Sequence, residues 1–230
     1  MKIKYDFYNG EQRISTFEID TNRENMSKML ISDNNYFSSP ENSKWLKLEY
    51  NQCEVCPLKS TETECCPAAL DISNIALKFG NIYSYERIKV KVETDERIYF
   101  KETNATIAVN SLLGLVFATS GCPILSQFKG MARFHLPFSS FDETLVRTIG
   151  MYLLKQYYNS IEGKEADFEL KGLLQLYKDM GNVNYSMTKR LADISTKDSA
   201  INAIASFFAM SSLIEDSIDT GLKDLKIEIF

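Results

Sequence analysis

No run of apolar residues in this chain of 230 reaches the roughly 18 that a membrane-crossing helix needs. Basic charge is in deficit. Twenty-six Lys and Arg stand against 31 Asp and Glu, a net charge of −5, so no global positive field holds a nucleic-acid backbone. Histidine is almost absent. His135 is the only one, which leaves a Ser-His-Asp triad little to draw on, although Cys122 with His135 stays open as a thiol–base pair. Neither common phosphate-binding glycine loop occurs. The N-terminal MKIKYDFYNG lacks the apolar centre of a secretory signal. That points to the cytoplasm, where stable disulfides are rare and close-set cysteines more often bind metal or do redox work.

What is present is an ordinary globular composition, 44% hydrophobic and 25% charged. Fourteen Phe and 12 Tyr exclude disorder for the bulk of the chain. Ile3, Tyr5 and Phe7 alternate with Lys2, Lys4 and Asp6. Asn9-Gly10 then predicts a type I′ turn into a return strand through Ile14 to Ile19. Residues 21–42 are polar and predict loop around a short helical piece near Met26–Ile31. Trp45, Leu48 and Tyr50 predict a third strand. Helical spacing predicts a helix over Asp71–Ser84, with Ile72, Ile75, Ala76 and Phe79 on one face. Ile88, Val90 and Val92 alternate with Arg87, Lys89 and Lys91, the pattern of a half-exposed strand. Its basic face reads as a solvated edge that discourages aggregation, and Ile98 and Phe100 can pair with it. Residues 104–120 are apolar nearly all round and predict a buried helix ended by a left-handed Gly121.

The second half reads as helical. Ser140 and Glu143 fit a capping box opening a helix to about Tyr158. Further helices are expected over Phe168–Met180, stopped by Gly181, over Tyr185–Ile194, and over Asp198–Asp219. Leu225–Phe230 reads as a final strand. Strands early and helices late predict an α+β fold. We expect one compact domain over 1–230. An N-terminal antiparallel hairpin and small sheet with a cysteine loop (1–103) would pack on a mainly helical half (104–230).

The chemistry lies in the five cysteines. Cys53-Glu-Val-Cys56-Pro57 is a C-x-x-C followed by proline, Cys65-Cys66-Pro67 comes shortly after, and Gly121-Cys122-Pro123 lies further on. Three of the five prolines directly follow a cysteine. A C-x-x-C turn brings two sulfurs to one ion, Cys66 is within reach across a short loop, and Cys122 stands at the end of a buried helix. Cys53, Cys56, Cys66 and Cys122 would complete four sulfur ligands, leaving Cys65 spare because neighbours in an extended segment point opposite ways. Four thiolates suit Zn²⁺ or a [4Fe–4S] cluster. The Cys-Pro pairs favour the cluster, since proline after a ligand fixes φ and stops the loop rewinding into helix. Against this, free cysteine is a commonly buried small hydrophobe, which alone would account for Cys122. Redox-labile thiols and a thioredoxin-like C-x-x-C are further alternatives.

His135 sits in MARFHLPF. It could join as a fourth ligand in a Cys₃His zinc site, with Cys65 as a further candidate, but the plainer reading is a partly buried ring between Phe134 and Phe138. The segment also offers Lys129 and Arg133 beside aromatics on an expected loop, which suits a small anionic ligand or a protein partner near 121–138. Acidic residues such as Glu62, Glu64, Asp142 and Glu143 are explained by solvation and helix-start charge.

The strings C-x-x-C-P-L, C-P-A, S-G-C-P-I-L, M-A-R-F-H-L-P-F and the later M-Y-L-L-x-Q-Y resemble a bacterial family known only as a domain of unknown function. The similarity runs from the N-terminal hairpin to the helix at Tyr152. It implies that Cys53, Cys56, Cys66 and Cys122 are the family's set and Cys65 an addition in this sequence; it implies no activity. The expectation is therefore a cytoplasmic bacterial protein that binds an iron–sulfur cluster or Zn²⁺ through four cysteines. Its role would be sensory or regulatory through a protein partner, with no nucleic acid and no membrane. A zinc-stabilised interaction module is one alternative. The other is an enzyme with Cys65 or Cys122 as nucleophile and His135 as base.

Overall fold

The structure is a computed structural model that describes residues 1–23, 43–193, 198–223 and 225–226. Alternation of period two builds the first layer. Strands β1 (Lys2–Asn9), β2 (Gln12–Asp20), β3 (Arg87–Glu93) and β4 (Ile98–Asn104) form one antiparallel sheet in the order β2-β1-β3-β4. Ile3, Tyr5 and Phe7 share its buried face with Ile88, Val90 and Val92. Asn9 pairs with Gln12, so the hairpin loop is Gly10-Glu11, one residue later than predicted, with a bulge between Phe7 and Tyr8. Only Gly10 has positive φ, at 59°, which is what a II′ turn asks of its first central residue.

Helices cover the buried face. Helix α1 (Pro67–Phe79) sets Phe79 edge-on to Phe7, with ring centroids 4.9 Å apart. Helix α2 (Ala105–Ala118) is the apolar segment, capped by Asn104, whose side chain accepts from the Ile107 N–H. A five-residue α3 (Lys129–Arg133) follows. Helix α4 (Phe141–Ile161) opens with the predicted capping box, both of its hydrogen bonds formed. Helices α5 (Lys171–Ala192) and α6 (Ser199–Asp219) pair with each other, and α6 also packs along α2. The fold is α+β, and no helix among the described residues is long and apolar enough to cross a membrane.

The departures have physical causes. Trp45, Leu46 and Leu48 are all buried, which alternation forbids, and Lys44–Leu46 is a 3₁₀ turn in place of the third strand. Helix α1 begins at Pro67, where a missing N–H costs nothing, and ends at Phe79 rather than Ser84. Helix α2 stops at Thr119, whose hydroxyl donates back to the Leu115 carbonyl, and Gly121 is not left-handed. Gly181 does not stop α5, because Met180, Val183, Asn184 and Met187 continue one buried face across it; tertiary burial outweighs glycine's weak helix propensity. Strand β3 is internal, not an edge, and Arg87, Lys89 and Lys91 pair with Glu102, Glu11 and Glu93. Of the expected final strand, residues 225–226 are helical and the rest lies outside the described residues, as does the helical piece near Met26–Ile31.

Candidate metal centre

Local backbone bonds place each cysteine. The Cys56 N–H donates to the Cys53 carbonyl at 3.0 Å, closing the C-x-x-C turn. Lys47 and Cys65 form an isolated antiparallel bridge, flanked by Cys66 N–H to Leu46 O at 2.8 Å and Leu48 N–H to Glu64 O at 2.9 Å. That bridge ties the cysteine loop to the Trp45 turn. Cys66 is the N-cap of α1. Cys122 donates its N–H to Ser120 Oγ at 3.1 Å, and its carbonyl accepts from the Ser126 N–H. All five are free thiols; Cys66 and Cys122 are buried and the other three half-buried.

The two buried Cys-Pro pairs share a design. Proline leaves the next two backbone N–H groups aimed back at the sulfur. Ala68 and Ala69 favour the charged form of Cys66 without completing a cap hydrogen bond, and Ile124 and Leu125 do the same for Cys122. Burial outweighs this pull: it raises Cys66 and pushes Cys122 up to about 12. Burial also raises Cys53, against a hydrogen bond from Ser186. Cys53 feels Cys66 and Cys56, Cys66 feels Cys56, and Cys122 feels Cys66 and Cys53. Cys65 feels only its neighbour Cys66 among the thiols, after burial and Glu64. As they stand, no three Cys, His, Asp or Glu side chains among the described residues are arranged to hold an ion.

Arg190, 1% exposed, lies within electrostatic reach of Cys53, Cys56 and Cys66. It projects from α5 one turn beyond Ser186 and donates to the carbonyls of Trp45, Lys47 (2.8 Å) and Leu48 (3.0 Å). Those carbonyls are the ones a third strand would have spent on a ladder. Burial depresses the guanidinium's pKa, while Cys66, Cys53 and Cys56 oppose the shift. Among the described residues Arg190 Nε has no hydrogen-bond partner and no carboxylate forms an ion pair with the side chain. Arg190 differs in this from Arg23, also buried, which meets Asp71 at 3.3 and 3.4 Å. Asp71 sits on α1 and takes a backbone hydrogen bond from Gly121, so this pair fastens the residue before Cys122 to the helix that Cys66 caps.

A family model described as Domain of unknown function (DUF6901) matches residues 1–229. The chain belongs to this family. No curated protein and no solved structure matches. Membership of DUF6901 carries no activity with it, so the chemistry has to come from the groups themselves.

The site residues read from the sequence divide in two. Cys53, Cys56, Cys66 and Cys122 fall in one neighbourhood. His135 does not join them: its Nε2 lies 2.5 Å from the Tyr5 hydroxyl, and the charge it feels is Arg147. No hydrogen bond joins Cys122 to His135 among the described residues. Arg190 was missed by the sequence reading. The signal was present, because Val183, Met187, Arg190 and Leu191 keep helical spacing and put a guanidinium on an apolar face. Splitting α5 at Gly181 hid it.

Proposed function

We propose that Cys53, Cys56, Cys66 and Cys122 bind a metal centre, a [4Fe–4S] cluster or Zn²⁺, and that the loaded 53–66 loop is the sensory or regulatory surface a protein partner reads in a bacterial cytoplasm. The observation that carries the reading is Arg190. A buried guanidinium cannot shed its charge, and a buried charge without a counter-charge is costly. Neutral thiols do not offset it. Four thiolates around Zn²⁺ or a [4Fe–4S]²⁺ cluster form a dianion that does, and a cluster sulfur or thiolate is an acceptor for the orphan Nε. The N–H groups behind Cys66 and Cys122 add to the same preference for charged sulfur. Ligation displaces thiol protons, so metal affinity falls with acid. Pro67 opens α1 instead of barring helix, so the Cys-Pro pairs do not choose between the two centres; zinc would make the same loop a structural interaction module without redox chemistry.

The test is elemental analysis and absorbance of anaerobically purified protein, with absorption near ~400 nm marking the cluster. Cys56→Ser and Cys66→Ala should lose metal and open residues 51–70 to protease, because binding energy is local folding energy here. Cys65→Ala should keep it. Full occupancy in Cys66→Ala, or metal-free protein from anaerobic cells grown with iron and zinc, overturns the assignment.

A further inference from the structure

A second feature lies away from the thiols. Helices α2, α5 and α6 and the segment from Leu125 to Arg147 line a half-open cavity of about 410 Å³, within the range of small-molecule sites. Its walls are Phe117, Phe128, Met131, Met180, Phe207 and Met210 among others, aromatic rings and pliable thioethers. Several of its polar groups form one hydrogen-bonded chain. Tyr5, fully buried, links His135 Nε2 at 2.5 Å to Ser111 Oγ at 2.9 Å, and Ser111 Oγ accepts the Phe138 N–H at 3.0 Å. Lys101 lies 5.5 Å above the Phe138 ring. Arg147 Nη2 donates to the carbonyls of Met131 (3.0 Å) and Phe134 (2.6 Å), while its Nε and Nη1 have no hydrogen-bond partner among the described residues.

The charge of the lining decides the ligand. Arg147 and Lys101 line the cavity and no Asp or Glu does among the described residues, in a chain where acids outnumber bases 31 to 26. The nearest acid that Arg147 feels is Glu143, which is committed to the Ser140 N–H of the capping box. Burial holds His135 down at about 3, so it faces the cavity as a neutral hydrogen-bonding ring.

We infer that this cavity binds a small amphipathic carboxylic acid, its head at Arg147 and His135 and its aliphatic tail between α2, α5 and α6. At the roughly 30 Å³ that one water takes in the liquid, the volume admits on the order of ten to fifteen non-hydrogen atoms, the size of dodecanoate. The inference is independent of whether the thiols carry metal.

Calorimetric titration of the full chain with dodecanoate, dodecanol and dodecylammonium, all below their micelle concentrations, tests it. Dodecanoate should bind one to one. Dodecanol should bind about tenfold or more weaker, as expected when a charge-assisted hydrogen bond is lost, and dodecylammonium not measurably. Gly114→Leu fills the cavity from the α2 wall, where an added Cβ meets only the Phe207 ring at an ordinary 3.5 Å. The folded variant should lose dodecanoate about tenfold or more while its metal content stays that of the wild type. Arg147→Gln should bring acid and alcohol within about twofold; should it fail to fold, the three-ligand series on the wild type decides. Absence of saturable binding to about 1 mM dodecanoate, equal affinity for the ammonium, or full affinity in folded Gly114→Leu overturns the inference.

Discussion

Arg23 and Arg190 are both buried, yet among the described residues only Arg23 faces a carboxylate. Around Arg23 the chain supplies Asp71, the Thr119 hydroxyl and the Val116 carbonyl. Burial still pushes Asp71 up to about 6 against the pull of Arg23 and the Gly121 N–H. Such a pair contributes little net stability, but removing one partner leaves a stranded charge. Around Arg190 the chain supplies three carbonyls and a set of thiols. The first is a closed structural joint. The second, among the described residues, has three carbonyl acceptors, an unpartnered Nε and no counter-charge, the condition of a site that takes its counter-charge from outside the polypeptide.

The largest effect expected on this comparison is at the closed joint. Asp71→Ala should cost about 3–5 kcal/mol by leaving Arg23 buried and unpaired, read as a shift in the urea midpoint at neutral pH. It should also loosen Gly121-Cys122, so metal content should fall with it. A loss below about 1 kcal/mol would mean that the Arg23 region tolerates a bare cation as well as the Arg190 region does, and the contrast would disappear.

At the open site, Arg190→Met should cost about 3 kcal/mol by stripping the donors from the carbonyls of Trp45, Lys47 and Leu48. The informative quantity is the difference between metal-loaded and chelator-treated protein. If the thiolate centre is the counter-charge, the substitution should hurt the loaded protein more, by about 1–2 kcal/mol, as for a charge-assisted interaction. An equal cost in both forms breaks the pairing of Arg190 with the sulfur centre.

Much of this was legible in the sequence and some was not, for reasons that differ by residue. Period-two alternation at Ile3–Phe7 and Ile88–Val92 carries the sheet because one of its faces is buried. The Ser140 capping box is a local device, fully written in four residues. The Trp45 turn is not local: its carbonyls go to a side chain 145 positions away, and no spacing rule reports that. The start of α1 was not legible: proline after Cys66 is expected to keep the chain out of helix, whereas Pro67 is the first helical residue, where its missing N–H costs nothing. Arg190 is hidden by a pattern that ends one helix before Gly181 and so breaks the apolar face from Met180 to Leu191. His135 was half legible. Its partly buried ring was expected, but its Tyr5 partner belongs to the opposite end of the chain.

His135 offers a milder contrast with the two arginines, because a histidine can give up its charge where an arginine cannot. Its pKa falls to about 3 from the 6.5 of an exposed ring. Between those values the native state binds fewer protons than the unfolded chain. The stability is therefore present above about pH 6.5 and is lost as the pH falls toward 3. By pH 4 the wild type should have lost about 3 kcal/mol from this group. His135→Gln keeps a hydrogen-bonding side chain without a titrating one. It should flatten that part of the acid limb, measured as the difference in urea midpoints between pH 7 and pH 4. Parallel acid limbs for the two proteins would show that the ring is solvated enough to protonate in place, and that burial does not treat it as it treats the arginines.

The smallest expected effect concerns the element that joins the two regions. Helix α5 carries Met180 in the cavity wall and Arg190 among the thiols, and Gly181 lies between them. Glycine inside a helix costs about 1 kcal/mol relative to alanine. A Cβ at 181 would meet only the Phe208 ring at an ordinary 3.6 Å, so nothing has to move to admit it. Gly181→Ala should therefore stabilise the protein by about 0.5–1 kcal/mol, seen as a small rise in Tm, and leave metal content unchanged. Destabilisation would mean that a break at Gly181 is needed and that α5 is two helices, as the sequence pattern alone predicts. Arg190 would then be held by a shorter segment, and its contrast with Arg23 would rest on the loop carbonyls alone.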